Sequence, residues 1–332
     1  MSLSEPLVAD SEVVCDVAVV GAGPAGLMVA EQLAQAGLSV RVFETKASAA
    51  RKFLMAGKGG LNLTHSEEFA SFVTRYGSRT AELTPWLQHW GAEELKAWAK
   101  SLGFDTFVGT SGRVFPADMK AAPLLRAWLV RMKAQGVKFH MRHRWLGWDA
   151  DGKPVLQMED AKVKVDCKAV VLATGGASWA RLGSDGAWAP LLEGKGVDLA
   201  PLQAANCGFD VGGAQGRAAG WSDVFAQRFA GQPFKPVVLR FTDDQGASFA
   251  RQGEFVATQT GVEGSLIYAV SSMLRDCIVR QGHATFELDL LPQFSAERVL
   301  QEVMHPRGSR SLSSHLKGRL GLDGIKAGLL YE

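Results

Sequence analysis

Cysteine is scarce in this chain of 332 residues, with only four. They stand far apart, at Cys15, Cys167, Cys207 and Cys277. No two have the short spacing of a zinc knuckle or a Cys-x-x-Cys redox pair, so a structural zinc and a thiol–disulfide centre are both disfavoured. Cys15 and Cys167 fall in or beside apolar strand patterns, where a thiol reads as a small buried hydrophobe. A long apolar run is also missing, so no bilayer-spanning segment is expected. The start of the chain is acidic and lacks the cationic and apolar regions of a signal peptide. Together with unpaired cysteines, this predicts a cytoplasmic protein in a reducing compartment. An excess of charge of one sign is lacking too: 36 basic residues stand against 34 acidic ones, a net +2. No basic tract is interleaved with aromatics, which argues against a nucleic-acid partner held by phosphate contacts. Internal repeats and low-complexity segments are likewise absent. What remains is a chain that is 47% hydrophobic, long enough for two or three domains.

One stretch organises the rest. Residues 13–20 form an apolar, β-branched run with the length of a buried parallel strand. Gly21, Gly23 and Gly26 follow at once as Gly-x-Gly-x-x-Gly. A pattern rich in Ala, Leu and Gln then predicts a helix to about Ala36, stopped by Gly37. A second short strand, residues 39–43, ends in Glu44. Each part has a physical task. Gly21 permits the tight turn, Gly23 lets a pyrophosphate approach the backbone, and Gly26 lets the helix lie close on the strand. The helix N-terminus then offers free N–H groups and a positive dipole end to a diphosphate. Glu44 can accept hydrogen bonds from a ribose, and its charge disfavours a 2′-phosphate. This is a dinucleotide-binding unit. Its geometry alone does not separate NAD from FAD, since both carry an adenosine diphosphate. Lys46, Arg51 and Lys52 follow as a small basic cluster, read as a solvated loop.

Residues 1–12 read as a polar arm. Gly57, Gly59 and Gly60 allow close backbone approach to a ligand, with Asn62 and Thr64 offering hydrogen bonds; a plain glycine-rich turn fits equally. Residues 80–103 read as helices whose Leu95, Trp98, Ala99 and Leu102 face a core. A short strand at residues 113–115 precedes an amphipathic helix with Leu124, Leu125, Trp128, Leu129 and Met132 on its apolar face. Residues 137–148 read as a strand region. Residues 155–159, 162–165 and 168–173 read as three more strands, forming a meander that returns to the parallel sheet at Thr174, Gly175 and Gly176. From about residue 199 the pattern turns to short strands between Gly, Asp and Pro turns. Residues 264–279 read as a helix, 285–290 as a strand, and 295–332 as helices with polar, basic faces.

Several blocks, taken together, resemble the HI0933-like (YhiN-like) family of FAD-dependent flavoproteins. They are GAGPAGL at residues 21–27, GKGGLNLT at 57–64, GRVFPADMKA at 112–121, VVLATGG at 170–176 and FVATQTGVEGSLIYA at 255–269. They occur in the family's order over nearly the whole chain. The resemblance implies an α/β fold: a Rossmann-like FAD-binding domain with a βαβ unit and a β-meander, plus an inserted β-barrel and helical subdomain. The FAD-binding domain is placed at residues 1–198 and the insert at 199–332, with its barrel at about 199–292 and its helical part at about 293–332. The cofactor implied is a noncovalent FAD. Gly21, Ala22, Gly23, Pro24, Ala25 and Gly26 would meet its diphosphate and Glu44 its ribose. Asn62, Leu63 and Thr64 would lie beside the flavin, and Thr174 and Gly175 would line it from the meander. Some relatives are linked to reduction of carbon–carbon double bonds in steroid-like enones. The family closes its FAD domain with a Gly-x-x-x-Ala-Gly-Glu block, and this chain ends at Tyr331-Glu332 without one. A form continuing past Glu332 is therefore expected to retain flavin more tightly.

A flavin carries hydride or electron transfer itself, so no catalytic triad is required and none is found. Lys58, His65, Arg113 and Lys120 are the titratable residues within the blocks. Each fits a solvated or structural role better than a catalytic one, and the catalytic residues stay unassigned. No metal ligand set is found. No second strand-anchored Gly-x-Gly-x-x-Gly occurs, because Gly212, Gly213 and Gly216 follow no βα pattern. The source of electrons is open, with NADH and NADPH as candidates. The expectation is an FAD-dependent oxidoreductase acting on a small molecule. A non-catalytic flavin-binding module serving a protein or RNA-linked partner is the alternative, and an NAD-dependent dehydrogenase is a third.

Overall fold

The computed structural model describes residues 12–56, 59–212 and 219–332. They form two compact units that part between Leu202 and Gln203. The residues 1–11 of the expected polar arm, Gly57, Lys58, Gly213 and Gly216 lie outside the described residues.

In the first unit, β1 (Glu12–Val20) leads into α1 (Pro24–Gln35) and β2 (Val40–Glu44). Next come α2 (Arg51–Ala56), β3 (Thr64–His65), α3 (Phe69–Thr74), α4 (Thr80–His89), α5 (Ala92–Ser101), β4 (Thr106–Val108), β5 (Arg113–Pro116) and α6 (Ala121–Ala134). The chain then forms β6 (Lys138–Met141), β7 (Arg144–Trp148), β8 (Pro154–Met158), β9 (Ala161–Leu172) and α7 (Ala189–Glu193). The main sheet has the order β6-β2-β1-β9-β8-β7. Its first four strands are parallel, while β7, β8 and β9 pair antiparallel. This is a Rossmann-like α/β fold.

The strand reading of residues 13–20 has a two-sided cause. Val17 and Val19 pack into one core with Leu27, Ala30, Trp128 and Met132, whereas Ala18 and Val20 pack into another with Phe43, Trp145 and Leu156. Burial on both faces is what makes a parallel strand continuously apolar. Gly37, at φ +84°, ends the segment that follows α1. The five apolar residues read on α6 are all buried.

The strand region at residues 137–148 holds two strands: Arg142 sits at φ +61°, and the chain turns there from parallel β6 to antiparallel β7. One strand expectation needs correction. Residues 162–165 and 168–173 are not two strands but parts of one, β9. Its early residues pair with β8, and its residues from Lys164 to Leu172 pair with β1. Lys164 serves both neighbours, so nothing forces a break.

The strand edge is fastened by a polar clip. Asp16 Oδ2 accepts hydrogen bonds from Ser39 N and Ser39 Oγ, each at 2.8 Å, and Lys168 Nζ lies 2.7 Å from Asp16 Oδ1. The bonds from Lys168 and Ser39 hold the Asp16 carboxyl well below the usual carboxylate range. A carboxylate with a depressed pKa stabilises the fold above its unfolded value and loses that contribution as pH falls toward its folded one. Asp16→Asn should therefore lower the urea midpoint at pH 7. The gap from the parent should narrow as pH falls below about 4, where the unfolded-state carboxyl takes up its proton. A pH-independent gap would show that the charge is not the cause.

In the second unit the elements are β10 (Phe209–Asp210), α8 (Asp223–Phe229), β11 (Pro233–Thr242), β12 (Ser248–Ala257), β13 (Gly261–Glu263), α9 (Ser265–Gln281), β14 (Glu287–Asp289), α10 (Ala296–Met304), α11 (Leu312–Leu320) and α12 (Gly324–Leu329). The five strands form an antiparallel sheet in the order β10-β13-β12-β11-β14. Among the described residues β10 and β14 are its two edges, so the expected barrel is an open sheet. Leu266, Ile267, Val270 and Leu274 of α9 pack with Phe234, Val237, Leu239 and Phe255 of that sheet. Helix α8 was not legible as one, but Ser222 caps it by accepting from Phe225 N at 3.2 Å. No helix among the described residues is long and apolar enough to cross a membrane.

Candidate functional site

The carboxyl ends of β1, β2 and β9 meet at one place. Gly21 N donates to Phe43 O at 2.8 Å, and Ala173 N donates to Val20 O at 2.8 Å. Here α1, which follows β1, packs on one face of the sheet, while Trp188, Leu191 and Leu192, which follow β9, pack on the other; such a point between neighbouring strands is where open α/β sheets bind ligands. Gly21 has φ +104°, and a Cβ on it would stand 2.3 Å from Ala173 O. A Cβ on Gly26 would stand 1.9 Å from Gly21 O. Gly23 differs: a Cβ there meets nothing within 4 Å. Two glycines thus close the turn, and the third faces open space. The first turn of α1 carries no acidic residue and no side-chain cap, which leaves its first amides without a side-chain acceptor.

Glu44 reaches into this turn. Its Oε2 accepts from Ala22 N at 2.9 Å and its Oε1 from Lys46 N at 2.8 Å. The Ala22 amide is therefore committed to Glu44, and Ala22 O accepts from Ala50 N at 2.8 Å. Each carboxylate oxygen keeps acceptor capacity for a further donor.

A cavity of about 920 Å³ opens at this edge. It lies within the range of roughly 300–1,000 Å³ typical of small-molecule sites. Gly21, Gly23, Pro24, Ala25, Glu44, Asn62, Leu63, Thr174 and Gly175 all line it. The structure thus gathers nine of the twelve residues singled out in the sequence. The other three stand behind the wall. Ala22 is fully buried, Gly26 packs on Gly21 and Ala173, and Thr64 pairs with Val114 between β3 and β5. Arg51 and Lys52, read from sequence as a solvated loop, line the cavity instead, and Lys52 Nζ touches Ser178 Oγ. Leu95 and Trp98 also line it, whereas Ala99 lies in the core as expected.

Among the titratable residues of the blocks, His65 spends both ring nitrogens on local backbone. Nδ1 accepts from Glu67 N at 3.2 Å and Nε2 lies 3.0 Å from Ser111 O. His65, Arg113 and Lys120 are outside the cavity lining. No cluster of His, Cys, Asp or Glu suited to a metal occurs among the described residues.

Sequence reasoning missed one wall entirely. His143, Arg144, Trp145, Ser184, Asp185 and Trp188 line the cavity from the β6–β7 turn, the start of β7 and the loop after β9. Trp188 Nε1 donates to Gly175 O at 3.0 Å, and Arg144 pairs with Asp185 at 3.0 Å. Burial works upward on the Asp185 carboxyl, but the Ala187 amide and Arg144 prevail and hold it below its usual range. His143 N donates to Glu44 O at 2.9 Å, which ties this wall to the acid. Burial pushes the His143 imidazole pKa down, partly offset by its contact with Met141 O. The alternation of Met141, His143 and Trp145 with Arg142 and Arg144 is the sequence signal that could have found this wall.

A family model described as the HI0933-like protein Rossmann domain matches residues 15–281. A curated protein from Haemophilus influenzae, named ribosomal RNA dihydrouridine synthase, is 26% identical over 304 residues, covering 90% of this chain and 70% of that protein. Among solved structures, a 3-ketosteroid-Δ4-(5α)-dehydrogenase from Rhodococcus jostii RHA1 is similar at 18% identity and a TM-score of 0.41, over 50% of this chain and 47% of that one. THI4 from Thermovibrio ammonificans is similar at 18% identity and a TM-score of 0.36, over 56% and 64%. The chain spans about half to under two thirds of these two solved structures.

Proposed function

The chain belongs to the HI0933-like family, and from that premise we propose that it is an FAD-dependent oxidoreductase with a noncovalent cofactor. One observation carries the reading: the Glu44 carboxylate at the tip of β2 is hydrogen-bonded into the glycine turn at the tip of β1. That arrangement suits an adenosine diphosphate, with the ribose hydroxyls on Glu44 and the phosphates before Gly23 and the start of α1. The open space at Gly23 and the size of the cavity fit such a group. Arg51 and Lys52 supply positive charge along its path. Asn62 and Leu63, with Thr174 and Gly175, would hold the flavin end. Bound FAD supplies hydride or electron transfer, while the chain's own residues orient it and exclude water.

The substrate of the first reading is a small molecule. A second reading rests on the name of the Haemophilus influenzae relative: reduction of a uridine ring in ribosomal RNA. The near-neutral charge weighs against it. A flavin-binding module without turnover remains the non-enzymatic alternative.

The purified protein should be yellow, with an FAD spectrum that survives desalting and is released by heat or acid. A colourless protein that gains no flavin on incubation with FAD would overturn the proposal and leave the NAD reading standing. Anaerobic NADH or NADPH should bleach the flavin within minutes. Reoxidation by a small enone, set against reoxidation by ribosomal RNA, separates the two substrate readings. No reduction by either nucleotide would favour the module.

A further inference from the structure

Three separate segments bring cations to one rim of the cavity. Lys52 Nζ of α2 touches Ser178 Oγ in the loop after β9. Further along that loop, a Cβ on Gly183 would stand 3.1 Å from Lys46 Cγ, so the Lys46 stem lies against it. Between the two, the Arg181 guanidinium sits over the Trp179 ring, 5.1 Å from its centre. Arg142 joins through the backbone, its amide donating to Lys46 O at 3.1 Å. Residues 44–52, 141–145 and 177–185 thus hold six cations against two carboxylates, Glu44 and Asp185. Both acids are committed, Glu44 to the amides of Ala22 and Lys46, Asp185 to Arg144 and the Ala187 amide. No ion pair joins Lys46, Arg142 or Arg181 to a carboxylate among the described residues. Cations gathered with so few counter-charges raise the local potential and draw anions. Trp179 stands among them 46% exposed, a large flat ring left in water. None of Lys46, Arg142, Trp179 and Arg181 lines the cavity itself, so the FAD reading leaves all four without a task.

We infer that this rim docks single-stranded RNA, with phosphates on Lys46, Arg142 and Arg181 and a base stacked on Trp179. Cations that track a backbone beside an aromatic platform are how proteins hold single strands. An acidic peptide would meet the cations but gives the exposed indole no base to stack on. Along the sequence no basic tract is interleaved with aromatics; the sheet assembles one where β2, β6 and β9 end. The net charge of +2 is an average over the whole chain, whereas binding answers to the local field. The inference rests on the second substrate reading above, which supplies the reason for an RNA partner. A strand held at the rim lies beside the cavity in which the flavin would act.

The test is fluorescence anisotropy of a labelled oligouridylate of about 12 nucleotides on the flavin-loaded full chain, between about 50 and 200 mM salt. Three phosphate contacts to a single strand give the parent a log–log salt slope of about −2, which weakens binding roughly 20-fold over that range. Lys46→Gln, Arg142→Gln and Arg181→Gln should each reduce the slope by about 0.7. Trp179→Ala should keep the slope and lose about tenfold in affinity, the worth of one stacked base. All four variants should keep their flavin and their melting temperature, because these residues are at least partly exposed and stand outside the cavity lining. The parent's salt slope needs no variant to fold. Absent binding, or a slope near zero, would overturn the assignment. Tighter binding of oligoglutamate than of oligouridylate would overturn it in favour of an acidic protein partner. Ribosomal RNA that reoxidises the flavin alike in parent and variants, with RNA affinity unchanged, would spare the substrate reading and remove this surface. RNA bound as expected without any reoxidation would remove the substrate reading and leave a binding surface alone.

Discussion

Replacing Gly26 by alanine should unfold the glycine turn, while replacing Gly23 should leave the fold intact and weaken the proposed binding of FAD. The contrast follows from where each new methyl group would go. At Gly26 it would lie 1.9 Å from Gly21 O and 3.1 Å from Gly21 C, both backbone atoms that cannot step aside. Either α1 lifts off β1 or the turn opens, and both surrender packing of Leu27 and Ala30 in the first core. Disruption of that kind costs about 3 kcal/mol or more, lowering the melting temperature of a unit this size by roughly 6–12 °C. At Gly23 the backbone has φ −78° and ψ 178°, which any residue adopts, and the new methyl meets nothing within 4 Å. Its melting temperature should stay within about 2 °C of the parent, as for a surface change. Its affinity for FAD should fall by about 10- to 100-fold, because the methyl occupies space that the diphosphate needs. Thermal melting and flavin titration of the two variants decide the matter. Equal melting temperatures would refute the packing argument, and unchanged flavin affinity in Gly23→Ala would refute the cradle.

The second large effect belongs to Glu31. This residue of α1 carries a carboxyl group, yet it is fully buried. Trp98 Nε1 and Trp128 Nε1 donate to its Oε2 at 3.0 and 2.8 Å, and Arg131 Nε lies 2.6 Å from Oε1. One carboxyl group thus links α1, α5 and α6, and both indoles it holds also line the cavity. Glu31→Leu would leave two indole N–H groups and a guanidinium without their acceptor. Breaking a buried pair by removing one partner costs about 3–5 kcal/mol. Arg131 keeps partial access to water, with its side chain 24% exposed, so about 2–4 kcal/mol is the better expectation here. Glu31→Gln retains an acceptor oxygen and should lose markedly less. Urea denaturation followed by tryptophan fluorescence measures both. A Leu variant as stable as the parent would show that packing, and not this polar junction, holds the three helices together.

The strand before the glycines, the helix after them, the halt at Gly37 and the acid at Glu44 were legible because each is written in neighbouring residues. So was the apolar face of α6, whose spacing repeats with the helix turn. The break at Arg142 was not legible, since a left-handed backbone at an arginine leaves no trace in residue type. It is decided by Arg142 N and His143 N finding carbonyls on Lys46 and Glu44, about a hundred positions away in the chain. The merging of two expected strands into β9 was hidden for a similar reason, because its two stretches satisfy different neighbours.

By itself, then, the sequence determined the turn that can seat a diphosphate, because sterics at Gly21, Gly23 and Gly26 act between residues a few positions apart. Only the tertiary structure decided what surrounds that turn. Glu44 closing on Ala22, Glu31 joined to Trp98, Trp128 and Arg131, and His143 with Trp145 on the far wall all depend on long-range contacts. Hydrogen bonds and burial between distant residues carry no periodicity along the chain, so they exist only once the sheet has brought those residues together.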